Sequence, residues 1–358
     1  MTAQIRPIRR QDRAQFQALT ALRPGYDEKR AERRTDVIWH IAFENPVQDG
    51  KPTYYVAATP DKIVCHMGRM PTRFWIRGGV HDASFAHDLF ADPELQSTGR
   101  GFFITMKLYK KVEDTCDSFC GLLWTNELNV KLQQSRKYDQ LWTQPYVRVL
   151  NTERLLAQLP LPPAVSTFAR KMGDASLRAF DAALERVVRG DTELVTRFDE
   201  RFDRFAQQIG PLQGVAPVKD AAYLRWRYQD WPYLRTSTFA ISSRSEQLRG
   251  FIVLREPDPD ESSGRILDIV CDPRDKGAAQ ALAMVAIEHY RAMGKRRIEC
   301  VATEPWLQRA LRGLFFVPRG GELPVFFLNG HKYPEVEHLR SIENWHVAFG
   351  DSEGGEVP

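Results

Sequence analysis

Long apolar runs are missing from this chain of 358 residues. No stretch approaches the ~20 apolar residues of a membrane span. The start, Met1-Thr-Ala-Gln-Ile-Arg-Pro-Ile-Arg-Arg10, puts charge where a signal peptide needs its apolar segment. A soluble, cytoplasmic protein is the expectation. Cysteine is scarce: Cys65, Cys116, Cys120, Cys271 and Cys300 are an odd number spread over a large chain, which excludes a secreted disulfide framework and fits buried thiols in a reducing compartment. Cys116 and Cys120 have no histidine at finger-like spacing, so no metal is expected. A dense stripe of one charge is missing too. The 50 basic and 46 acidic residues leave a net +4, and the basic clusters Arg9-Arg10, Arg33-Arg34 and Lys295-Arg-Arg297 are short and scattered. That argues against a nucleic-acid surface and fits mild attraction for an anionic small molecule.

With 43% hydrophobic and 11% aromatic residues, the chain can bury two ordinary cores. It also carries an internal repeat. Asp88, Asp92 and Pro93 in His87-Asp-Leu-Phe-Ala-Asp-Pro93 recur as Asp268, Asp272 and Pro273 in Leu267-Asp-Ile-Val-Cys-Asp-Pro273, each 180 residues on, and the same offset carries Cys120 to Cys300. Periodicity places strands at 54–58, 63–67, 73–76, 84–91 and 119–124, and helices at 12–22, 102–112 and 130–141. The second half reads the same way: a helix with Phe202, Phe205 and Ile209 on one face, a hairpin at 238–242 and 250–255, a strand at 266–271, a helix at 278–293, then a strand at 296–302 and a helix at 306–314. Trp226-Arg-Tyr-Gln-Asp-Trp-Pro232 pairs with Trp39-His-Ile-Ala-Phe-Glu-Asn-Pro46 as a further likeness. The expected class is α/β with mixed sheets, divided into a first domain (1–150), a helical linker (151–189), a second domain (190–333) and a C-terminal tail (334–358) whose last residues, Gly350 to Pro358, are polar and expected to fray.

The chemistry sits in the turn after the repeated strand. In Gln96-Ser-Thr-Gly-Arg-Gly101 a glycine-containing turn enters a helix, so several unpaired N–H groups and the positive end of the helix dipole point one way, and Arg100 adds a charge. Such a turn suits phosphate. It has no Gly-Lys-Ser/Thr and lacks the first glycine of a dinucleotide fingerprint. Gln96, Gly99 and Gly101, preceded by Asp92-Pro93-Glu94 and set between a strand and a helix, resemble the acetyl-coenzyme-A-binding turn of the Gcn5-related N-acetyltransferase superfamily, Gln/Arg-x-x-Gly-x-Gly/Ala. The resemblance covers about residues 5–150 and again 190–330, and implies two such domains in tandem. Trp226-Arg-Tyr228 and the stretch Trp345 to Ser352 resemble acyltransferase-like proteins of bacterial surface-polysaccharide clusters.

The resemblance implies direct transfer of an acetyl group from acetyl-CoA to an amine of a small molecule or sugar, with no covalent enzyme intermediate and no metal. The cofactor is expected along Leu89, Phe90 and Ala91, at Gln96, Ser97, Thr98, Gly99, Arg100, Gly101 and Phe102, and at Asn129 beside the pantetheine arm. In the second copy Gly99 becomes Ala279 and Gly101 becomes Ala281, so the donor is assigned to the first. His66, His87 and Asp88 are the candidate bases, the histidines ahead because an intrinsic pKa of ~6.5 suits proton transfer near neutrality. Tyr138 is the candidate acid for the leaving thiolate. Each has a structural alternative: a hydrogen-bonded strand histidine, a shared carboxylate binding a neighbouring backbone, a packed tyrosine. Two other functions stay open, a non-catalytic CoA-binding or scaffold protein of polysaccharide assembly and an aminoacyl transferase of the peptidoglycan-bridge type.

Overall fold

The structure is a computed structural model that describes residues 3–47, 50–96, 98–116, 119–123, 131, 133–134, 136–153, 160, 162–188, 190–321, 323–329 and 336–352. The chain forms two compact units, one of Met1–Leu141, Ala222–Tyr233 and Pro324–Arg340, the other of Trp142–Ala221, Leu234–Leu323 and Ser341–Pro358.

The first unit opens with β1 (Gln4–Pro7), α1 (Arg13–Thr20) and α2 (Glu28–Glu44), the last capped by Asp27, which accepts from the Arg30 N–H at 2.7 Å. Then follow β2 (Tyr54–Ala58), β3 (Ile63–Ile76) and β4 (Gly79–Ala91). The two strands expected at 63–67 and 73–76 are one long strand. Arg77 and Gly78, both with positive φ, form the two-residue turn that folds it back on β4. After β4 come the single turn α3 (Pro93–Gln96), α4 (Gly99–Glu113), β5 (Phe119–Leu123) and β6 (Asp139–Thr143). The expected helix at 130–141 is shortened: Gln133 and Gln134 are helical, Lys137 has φ +63 and breaks the run, and 139–141 already belong to β6. The core lies between sheet and α4, where Tyr55, Cys65 and Met67 meet Leu108, Tyr109 and Val112. Trp226, in a π-type turn at Arg225–Gln229, stacks on His40 of α2 at 5.4 Å, so the two tryptophan segments matched by sequence also touch.

The second unit contains β7 (Pro145–Val149), α5 (Pro163–Val187), β8 (Thr192–Leu194), α6 (Glu200–Ile209) and β9 (Val215–Pro217). A short helix, α7 (Ala221–Leu224), leads to β10 (Thr236–Ser242), β11 (Leu248–Arg255), β12 (Ser263–Cys271) and α8 (Lys276–Ala292). Then come β13 (Arg297–Val301), α9 (Pro305–Arg312) and β14 (Val317–Pro318). The chain ends through β15 (Leu323–Asn329), a turn of helix at Val336–Leu339, and a buried 3-10 turn at Phe349–Asp351. That last turn overturns the expected fraying of Gly350 and Asp351, which are buried.

The two sheets share one plan. The first runs β1-β2-β3-β4-β5-β15-β6 and the second β8-β10-β11-β12-β13-β7-β14. In each, antiparallel strands lead to the repeated strand, which pairs in parallel with the strand after its helix: β4 with β5, β12 with β13. One strand is exchanged between the halves of the sequence. β7, which follows the first copy, closes the second sheet against β13, while β15, which follows the second copy, takes the matching place beside β5. A fragment of residues 1–150 therefore lacks β15 and leaves β5 as an open edge. We predict that this fragment will not unfold cooperatively and will aggregate. A soluble fragment with a sharp urea transition and native-like near-UV circular dichroism would contradict the exchange.

Candidate functional site

β4 pairs with β3 along its length, and among the described residues with β5 near its middle. Its parallel register with β5 covers Ser84↔Cys120 and Phe85↔Gly121, whereas on the β3 side pairing continues to Ala91. Among the described residues, the β5 register ends at Phe85↔Gly121. A bulge lies in this stretch: Gly68 pairs with His87 and His66 with Phe90, so Asp88 and Leu89 together stand opposite Met67, with Asp88 at φ +54. Asp88, Leu89 and Phe90 are each half-buried, yet the Asp88 side chain is only 1% exposed, so what Asp88 presents outward is backbone.

β4 leads directly into the turn. The Asp92 carboxylate accepts from the Glu94 N–H at 3.0 Å and from Lys62 Nζ at 2.8 Å, and Gln96 Nε2 donates to the Ala91 carbonyl at 3.0 Å. Thr98 caps α4, its Oγ1 accepting from the Gly101 N–H at 3.2 Å. The glycines act differently from the expectation. Neither has a positive φ. A Cβ on Gly101 would stand 2.0 Å from the Leu95 carbonyl oxygen, so this glycine lets α3 fold against α4, whereas a Cβ on Gly99 would meet nothing within 4 Å. Arg100 and Phe102 are exposed beside it. Ser97 and Asn129, both expected at the cofactor, lie outside the described residues.

The three side chains expected as bases come together with partners that composition could not reveal. Asp88 Oδ1 accepts from Arg23 Nη2 at 2.7 Å and from Arg34 through Nε at 3.0 Å and Nη2 at 2.5 Å, and Oδ2 accepts from the Tyr54 hydroxyl at 2.6 Å. Burial alone would raise this carboxyl, but Arg23 and Arg34 outweigh it and hold its pKa far below the usual carboxylate range. His66 is fully buried with Nδ1 3.5 Å from Asp88, and packs on Phe16 at 4.5 Å. Burial pushes its pKa down to about 3 against the pull of Asp88, so it is neutral at physiological pH. His87 is buried edge-on against Tyr54, ring centroids 5.3 Å apart. Arg34 belongs to one of the short basic clusters noticed in the sequence; Arg23 and Tyr54 carried no signal.

Tyr138 is elsewhere. It sits just before β6, and its hydroxyl donates to Glu113 Oε1 at 2.9 Å, at the C-terminal end of α4. Arg136 binds the same carboxylate. Fifteen helical residues separate that end from the turn, a span of about 20 Å.

In the second copy, Asp275 caps α8, accepting from the Ala278 N–H at 3.0 Å while Arg249 Nε reaches it at 2.8 Å. The positive end of α8 therefore already holds a carboxylate, and Ala279 and Ala281 are buried in the core. Asp268, the partner of Asp88 in the repeat, is again buried and ionised. Lys219 bonds it directly, and His346 Nε2 lies 3.1 Å from it while Nδ1 lies 2.7 Å from Glu304. Asp351 stands 3.4 Å from Lys219. Burial, and then Lys219, would lower the His346 pKa, but Glu304 and Asp268 prevail and raise it to about 9. Two carboxylates on two ring nitrogens require both N–H groups, hence the imidazolium.

Two outcomes follow from these clusters. Asp88→Asn should cost about 3–5 kcal/mol in urea unfolding, since it removes the buried carboxylate that Arg23 and Arg34 share; a loss under about 1 kcal/mol would mean the pairs are idle. Because the folded-state pKa of His346 is raised, its stabilisation is complete below the unfolded value of ~6.5 and is lost as pH rises through about 9. The urea midpoint should fall from about pH 7 to about pH 10, and this slope should flatten in His346→Gln. Equal slopes would rule out the charged imidazole.

No protein-family model matches the chain, and no curated protein matches it in sequence. Solved structures do match in fold. A GCN5-related N-acetyltransferase from Anabaena variabilis aligns with a TM-score of 0.60 at 13% identity, covering 91% of this chain and 72% of that one. A GCN5-related N-acetyltransferase from Kribbella flavida aligns at 0.56 with 11% identity over 91% and 70%. The Saccharomyces cerevisiae N-myristoyltransferase with bound myristoyl-CoA aligns at 0.52 with 10% identity over 97% and 89%. Two mixed sheets, each with a repeated strand, a turn and a helix leading to a parallel neighbour, are thus built on the fold of the GCN5-related N-acetyltransferases.

Proposed function

We propose that the chain is an N-acyltransferase that binds acetyl-CoA at the first copy and passes its acyl group directly to an amine of a small molecule or sugar. The observation that carries this is the contrast between the two turns. In the first, Thr98 caps the helix with a neutral hydroxyl and Gly99 faces open space; in the second, Asp275 occupies the same helix end. An anionic pyrophosphate suits the first, whereas in the second a carboxylate already takes the helix N–H groups. The main chain of Asp88, half-exposed while its side chain is buried, offers a peptide group to an extended amide-bearing arm.

In this reading the amine attacks the thioester carbonyl, the carbon–sulfur bond breaks, and the amine gives up a proton. His66, held neutral with a pKa of about 3, and Asp88, held ionised by two arginines, are poor acceptors for it. His87 is the side chain to test. Tyr138 serves as a strut between Glu113 and the core, so the proton reaches the thiolate by another route.

Gly99→Asp is the cleaner probe of the donor site. It adds an acidic group that a helix N-terminus tolerates, in a place where its Cβ has room, so the fold should persist while CoA affinity by isothermal titration falls at least about tenfold, a change of about 1.4 kcal/mol. Gly277→Asp in the second copy should leave affinity unchanged. The reverse pattern would assign the donor to the wrong copy. In a thiol-release assay over an amine panel, His87→Gln should lower turnover by a factor of about 10²–10⁴, and Tyr138→Phe should leave it near the parent value. CoA binding with no thiol release for any amine would favour a binding protein without catalysis.

A further inference from the structure

Helix α5 is used along only one face. Its C-terminal half is anchored: Asp181 accepts from Arg148 at 2.7 Å and from Arg291, Phe180 meets Phe315 edge-on at 4.7 Å, and Leu184 packs on the core of the second unit. Farther up, Asp174 accepts from the Thr152 N–H at 2.7 Å, and Gly173 lies against the Thr152 side chain. Gly173, Asp174, Asp181 and Leu184 share one side of the helix. About half a turn around stand Val165, Phe168 and Met172, in i, i+3, i+7 spacing, with Ala175 and Ala179 continuing the line. Val165 is 49% exposed, Phe168 67% and Met172 54%, and no described element shields them. Large apolar side chains aligned on the outside of a helix mark a surface that something covers.

The rim of the stripe is mainly basic. Lys171 and Arg178, seven residues apart, flank it on one side, Arg186 follows a further two turns on, and all three are exposed. Of the three acids in α5, Asp174 and Asp181 are spent on the anchored face, which leaves Glu185, seven residues beyond Arg178 on the same line, as the one acid against three cations. An apolar stripe edged with cations is complementary to an anionic interface and not to itself, because a second copy laid on this face would bring like charges together. No helix among the described residues is long and apolar enough to cross a membrane, so contact of this kind lies in the interface plane.

We propose that the exposed face of α5 docks on an anionic lipid surface. Val165, Phe168 and Met172 enter the boundary between headgroups and acyl chains, and Lys171, Arg178 and Arg186 meet the lipid phosphates. This inference is independent of the acyl-transfer reading.

The test is flotation of the full-length chain with vesicles of phosphatidylcholine alone and of an equimolar phosphatidylcholine–phosphatidylglycerol mixture. Binding is expected to the mixed vesicles, to be weaker on the neutral ones, and to weaken with added salt. Lys171→Glu and Arg178→Glu should each reduce partitioning about fivefold or more, and the double change Phe168→Ser with Met172→Ser should remove most of it. These side chains are exposed, so circular dichroism and the urea midpoint should match the parent. Equal binding to neutral and anionic vesicles, unaltered binding by the variants, or no binding at all would each overturn the proposal. So would a dimer in sedimentation equilibrium that the Phe168/Met172 change dissolves, since that would make the stripe a contact between copies.

Discussion

A carboxylate buried in a sheet has to be neutralised where it stands, and in this protein that requirement is met twice on the same strand of a repeat. Asp88 and Asp268 occupy matching positions and are both ionised in the interior. What neutralises them differs. Arg23 and Arg34 come from the segments around α1 and α2, while Lys219 and His346 come from the chain before α7 and from its C-terminal stretch. In each unit the aspartate thereby ties a remote segment to the strand that carries the bulge or ends at the turn. Losing one partner of such a cluster exposes the rest to an uncompensated charge, which is why these residues bind segments together more strongly than surface ion pairs do.

The bulge and the ion cluster are connected. Asp88 has a left-handed backbone that a non-glycine residue adopts at a cost, and its side chain is held by four donor atoms from Arg23, Arg34 and Tyr54. The bonds to the side chain stabilise a conformation that buries the carboxylate and leaves the main chain of Asp88 half-exposed. The carboxylate thus shapes the candidate site by fixing backbone, and its low pKa suits that role and not proton transfer. In the second unit Asp268 sits near a comparable register shift, between Val253 and Leu254 of the facing strand, but the helix end beyond it is filled by Asp275.

The exchange of β7 and β15 gives the repeat a further consequence. Each sheet is completed by a strand whose sequence lies on the far side of the other copy's turn and helix. Neither half of the chain can satisfy the edge of its own parallel strand, so the two copies are obliged to fold within one chain. The stretch Trp345 to Ser352 contributes in the same manner, since Trp345, His346 and Asp351 are buried polar or aromatic groups of the second unit and not the end of a loose tail.

Much of the plan was legible from residue order alone: the 180-residue repeat, the strand and helix after each Asp-x-x-x-Asp-Pro, the turn at Gln96 to Gly101, and a helical linker between the halves. These are local patterns of period two and 3.6 with turn residues between them, and neighbours along the chain are enough to set them. The tertiary structure decided the rest. Gly101 is required by the Leu95 carbonyl, a contact made only when α3 folds back on α4. Tyr138 reaches Glu113 because β6 begins earlier than its helical pattern implied, and Asp88 meets Arg23 and Arg34 across 65 and 54 residues of chain. Which strand closes which sheet, and whether a charged side chain faces water or its opposite, depend on segments far apart in sequence. Hydrophobic period and turn chemistry carry no record of those pairings, because closing a long loop is decided by the packing of the whole unit.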